Sequence, residues 1–262
     1  MKVYHGTSEA VARAALEDGL LPREATASKG NWEDCPSNSE LVYVTVGYAG
    51  YFAMHASDDG KWGIVEIETD LLDEECMLPD EDFMEQATRN QWDELRTMTD
   101  EHGFDPFPAD GDMQERTLWF REHIKMFAHV WEESIRLMGN AAHDGAIVPD
   151  AITRVSIFEP RANFYVAHAC GDPTISILNY QILGAKYEAI TAWLMGDQTT
   201  RAAEVIAGWS SEDISRASKD HAKLAELWAQ SLDGARHALA DTSGLEILPG
   251  MAADWTQECL AD

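Results

Sequence analysis

In Lys2-Val3-Tyr4-His5-Gly6-Thr7-Ser8, the strand candidate Lys2–Tyr4 runs straight into a His-Gly-Thr step. The hydroxyl of Ser8 can accept an orphan N–H from the first turn of a following helix. Glu9–Glu17 then carries Val11, Ala14, Ala15 and Leu16 at helical spacing. Gly19 can adopt the left-handed conformation that closes a helix, and Leu20-Leu21-Pro22 leaves it as an extended segment.

Outward from that opening, Glu24–Glu40 has the Ser, Asn, Gly and Asp content of a surface loop. Leu41–Val46 is apolar and β-branched and reads as a strand, and Gly47–Ala56 as a packed helix. The turn Asp58-Asp59-Gly60 precedes a third strand, Trp62–Ile67. Asp70–Asp112 is acidic and irregular, with a helix expected around Glu81–Thr97. Gln114–Met138 places Leu118, Ile124, Phe127, Val130, Trp131 and Ile135 roughly on one side of a single long helix. Gly139–Asp144 breaks it, and Ala146–Val148 and Ile152–Phe158 read as two short strands. After Thr174 the pattern turns helical over Ile175–Met195, Thr199–Trp209 and Ile214–Ala240, with Leu248–Asp262 unassigned. The expectation is an α+β chain. Residues 1–172 form a mixed domain with a helical insertion at about 73–138, and 173–262 form a helical region beyond a boundary near Asp172-Pro173.

The 262 residues are 45% hydrophobic and 9% aromatic, enough for a buried core. Asp and Glu number 47 against 19 Lys and Arg, a net charge of −28. Such a surface repels phosphate backbones, which argues against nucleic acid as a partner and is compatible with basic protein partners. Cys35, Cys76, Cys170 and Cys259 form no CxxC pair, as expected of free thiols in a reducing cytoplasm. The N-terminus lacks a signal-peptide apolar stretch, and no apolar run approaches the ~18 residues of a membrane span. No metal site is expected. His123 and His129 are not spaced i, i+4, and the acidic cluster Asp70–Asp82 lacks calcium-loop spacing and reads as a solvated face. GxGxxG, P-loop and GxSxG patterns are missing from the sequence.

A glycine right after a strand exposes backbone N–H and C=O groups that can hold a flat carboxamide. A neighbouring histidine can bond a ribose hydroxyl, and an aromatic ring on the next helix can stack on nicotinamide. Tyr4-His5-Gly6-Thr7, Gly19-Leu20, Val42-Tyr43-Val44-Thr45 and Tyr48–Ala53 occur in the order that such a site requires. In these residues the chain resembles the ADP-ribosyltransferase superfamily, in the His-Tyr-acid branch that includes diphtheria toxin and the poly(ADP-ribose) polymerases.

The resemblance implies a split β-sheet core that binds NAD. His5 and Gly6, with Thr7 beside them, would grip ribose and carboxamide, and Tyr43 matches the motif tyrosine of the second strand. Tyr51 would stack on nicotinamide, with Tyr48 as its rival. The family's glutamate ahead of a late strand corresponds to Asp144, an aspartate in this chain, with Glu159 as the backup. The implied activity is mono-ADP-ribosyl transfer: cleavage of the nicotinamide–ribose bond and transfer of ADP-ribose to a macromolecular target, more plausibly a protein. Helical additions on a minimal core are similar to those of bacterial or phage effectors. Two other readings stand beside it. One is a non-catalytic acidic binding protein on a degenerate transferase fold, capturing a basic or DNA-binding partner. The other is an RNA 2′-phosphotransferase, against which count Tyr43 in place of a histidine and the absence of a basic RNA site.

Overall fold

Seven residues, Lys2–Ser8, form one continuous strand, β1, so the His-Gly-Thr step lies inside the strand rather than beyond it. The computed structural model describes residues 1–26, 37–57, 60–159 and 245–253. Ser8 caps α1 (Glu9–Asp18) by accepting from Val11 N–H, and Gly19 closes the helix at φ 78°. A side chain at Gly19 would also strike the Ile147 backbone, which exchanges hydrogen bonds with Leu20. After the single turn α2 (Arg23–Thr26) come β2 (Leu41–Thr45), α3 (Ala49–Ala56) and β3 (Trp62–Glu68).

The insertion is more broken than its periodicity predicts. After β4 (Met77–Pro79), α4 (Glu81–Ala87) and α5 (Trp92–His102) replace the single helix expected over Glu81–Thr97. Thr88 ends α4 because its hydroxyl and N–H turn back onto Met84 O. The long helix expected over Gln114–Met138 is α6 (Met113–His123), a 3₁₀ stretch Ile124–Val130, and α7 (Trp131–Met138). Asp112 opens α6 with a reciprocal capping box to Glu115.

Asn140–Asp144, expected to be a break, is strand β5. Ala146–Val148, expected to be a strand, contributes only the bridge Leu20–Ile147. Then follow β6 (Ile152–Phe158) and β7 (Leu245–Pro249). The strands form one antiparallel sheet in the order β4-β5-β2-β1-β3-β6-β7, with helices packed around it. The fold is therefore α+β, and the C-terminal region returns a strand to the sheet. The three helices expected between Ile175 and Ala240 lie outside the described residues.

Alternation along the strands sorts two cores. Val3, Val42, Val44, Val65, Ile67, Val155 and Ile157 pack with Ala12 and Ala15 of α1. Their neighbours Leu41 and Tyr43 pack instead with Leu78, Phe83, Trp119, Phe120 and Met138. The segment from Met77 to Met138 thus builds its own core on β2, β5 and β4, and that placement brings it to the strand that carries Tyr43.

Candidate functional site

The sheet is continuous but parted at one seam. β1 pairs with β3 from Lys2–Glu68 to Ser8–Trp62, yet with β2 only at Tyr4–Thr45. Beyond that pair His5 spans the gap, with Nδ1 2.8 Å from the Tyr43 carbonyl oxygen. A carbonyl can only accept, so Nδ1 carries the hydrogen and Nε2 of the neutral ring presents a lone pair. Burial lowers the His5 pKa below the ordinary imidazole value, opposed by the bond to Tyr43.

Gly6 has a packing reason of its own. A methyl there would overlap the Ala49 carbonyl oxygen and lie 2.7 Å from Ala53 N, so only glycine lets α3 press onto β1. Thr7 is buried opposite Gly63. Thr45 is a junction residue. Its hydroxyl donates to Gly139 O at 2.8 Å and accepts from Gly47 N and Tyr48 N, fixing the turn into α3.

Tyr43 extends its phenol toward the insertion. Its hydroxyl accepts from Asn38 N at 3.0 Å and donates to Glu81, with Oε1 at 2.8 and Oε2 at 2.9 Å. Burial, with the Glu81 and Asp80 charges behind it, raises the phenol pKa well above the usual value. Tyr48 keeps only 6% of its surface, with its ring against Gly139 and tilted on Phe52 at 6.5 Å. It is buried at the entrance to α3. Tyr51 lies on α3, and its side chain is outside the described residues.

The two carboxylates expected as alternatives are far apart. Asp144 ends β5 opposite Leu41 and meets Lys125 Nζ at 2.6 Å. Glu159 is exposed, just past β6. Four strand spacings separate β5 from β6, roughly 19 Å, so they cannot serve one bond-breaking centre together. From His5, Asp144 lies two strands across and three residues along, roughly 14 Å between backbones.

The acidic stretch Asp70–Asp82 is not wholly a solvated face. Asp80 and Glu81 are buried, as is Glu85 one turn further on. Asp80 caps α4, Glu81 holds Tyr43 and lies 3.7 Å from Arg121 Nε, and Glu85 pairs with Arg116 at 2.9 Å. Arg116 in turn stacks 3.7 Å over Trp92. Desolvation and the neighbouring carboxylates raise Asp80 well above the ordinary range, and Asp82 to about 6. Pro79-Asp80-Glu81 does read as a helix start, but the partners that bury Glu81 are distant in sequence.

Among the described residues no group of three or more His, Cys, Asp or Glu could hold a metal ion, and no helix is long and apolar enough to cross a membrane. His123 stacks on Trp119 at 4.3 Å and bonds its carbonyl, an ordinary packing role. Comparisons with protein-family models, with curated proteins and with solved structures find no match for this chain.

Proposed function

We propose that this chain is an NAD-dependent mono-ADP-ribosyltransferase on a split-sheet core. The observation that carries the reading is the seam: β1 and β2 share one bridge, and His5 reaches across to Tyr43 just where they part. The neutral His5 ring offers Nε2 to a ribose hydroxyl, and the Gly6 backbone at the seam offers amide groups to a carboxamide. Departure of nicotinamide leaves positive charge on the ribose, which a carboxylate stabilises as it develops. Asp144 is the acid for that role, on the β2–β5 side of the seam. Tyr51 is the ring assigned to nicotinamide.

The rival reading, an acidic binding protein without catalysis, draws on the Lys125–Asp144 ion pair, which occupies that acid. Nicotinamide release from NAD by the purified protein, with and without cell lysate, separates the two. Release that falls to background in His5→Ala supports the transferase, and dependence on lysate points to a macromolecular acceptor. A folded protein that releases none under either condition leaves the binding reading.

A further inference from the structure

Tyr43 is gripped at both ends: His5 holds its main-chain carbonyl, and Glu81 holds its hydroxyl. We propose that Glu81 is a positioning residue of the His5–Tyr43 site, fixing the Tyr43 ring from the helical insertion so that the seam keeps one geometry. The role rests on the transferase reading. Glu81 is the first residue of α4, its carboxylate is 7% exposed, and both its oxygens lie within hydrogen-bond distance of the same phenol. Asn38 N–H approaches that hydroxyl as a second constraint, so the phenol donates to Glu81 while accepting from the backbone. The Arg121 guanidinium at 3.7 Å supplies opposite charge.

Burying a carboxylate is unfavourable until its partners compensate it, so an apolar residue would fill this volume more readily. What an apolar residue cannot do is hold a hydroxyl in one direction. Asp80, the N-cap of α4, and the Arg116–Glu85 pair anchor the helix that presents Glu81. The insertion is thereby tied to the strand that lines the seam.

On the transferase reading Tyr43 shapes the NAD site rather than reacting, so loosening it acts on KM for NAD rather than on kcat. Glu81→Ala is expected to raise KM roughly tenfold with kcat near the wild-type value. Glu81→Gln keeps an acceptor for the phenol and is expected to restore KM to within about twofold of wild type. Tyr43→Phe should match Glu81→Ala, and the double variant should be no worse than either alone. Ultraviolet titration of the phenols gives a readout that does not need turnover. One tyrosine should resist ionisation in the wild type, vanish from the titration in Tyr43→Phe, and ionise at lower pH in Glu81→Ala. His5-dependent turnover with KM unmoved in Glu81→Ala, or a phenol titration identical to wild type, overturns the role of Glu81 and leaves the transferase reading standing. If the wild type releases no nicotinamide, that reading fails and the positioning role falls with it.

Discussion

The His5 ring and the Tyr43 carbonyl meet at 2.8 Å at the seam where β1 and β2 part. Burial keeps the folded imidazole harder to protonate than its ordinary value of 6.5. As pH falls through 6.5 the unfolded chain therefore takes up a proton before the folded one, and stability is lost. The expected outcome is a urea midpoint that falls less steeply with acid in His5→Gln than in the wild type. Equal slopes would show that the ring is not held neutral.

Gly6 answers to packing before it answers to any ligand. Gly6→Ala drives a methyl into the Ala49 carbonyl on a helix that cannot retreat without leaving β1. A loss of about 3 kcal/mol or more is expected in equilibrium unfolding. A near-neutral substitution would mean that α3 does not approach β1 this closely.

Asp144 offers a cleaner test of chemistry. Its bond to Lys125 lies at the surface, with side-chain exposures of 35% and 63%, so Asp144→Ala should cost less than about 1 kcal/mol. If Asp144 stabilises the departing charge, kcat should nevertheless fall by about a hundredfold or more. Unchanged nicotinamide release in this variant would exclude it as the acid.

Arg116 is the charge on which the insertion depends. Its guanidinium is bonded to Glu85, a carboxylate 2% exposed, and covers Trp92. Arg116→Ala leaves that carboxylate to the longer 3.6 Å contact with Arg89 and is expected to cost about 3 kcal/mol, with a shift in Trp fluorescence reporting the loosened ring. A change below 1 kcal/mol would show that Glu85 finds water or another partner at little cost.

The raised carboxyls of Asp80 and Asp82 act with the opposite sign to His5. Their folded forms hold protons that the unfolded chain has already released above about pH 4, so stability is lost as pH rises from there, for Asp82 through about 6. Asp80→Asn keeps a helix cap without the charge and is expected to flatten that decline. Parallel urea profiles for the two proteins between pH 4 and 7 would count against a raised Asp80.

Local chemistry made much of the frame legible. Ser8 and Gly19 bracket α1 because capping needs only neighbours, and Leu41, Trp62 and Ile152 begin strands because β-branched and aromatic runs favour a half-buried pleat. Periodicity misled where a helix changes its pitch. The stretch from Gln114 to Met138 keeps apolar residues on one side although its centre tightens to 3₁₀ geometry between two cores. Asn140–Asp144 hid as a strand because two alanines and three polar residues show little alternation. Its pairing with Leu41–Thr45 makes it one.

From sequence alone came the α+β class, the order of the first elements and the excess of acidic over basic residues, all matters of neighbours and composition. Only the tertiary structure decided that Tyr48 is core, that Asp144 and Glu159 stand on opposite sides of the seam, and that Glu81 closes on Tyr43. Those depend on strand order and on contacts between residues tens of positions apart, where burial and the pairing of buried charge, rather than local propensity, select the partner.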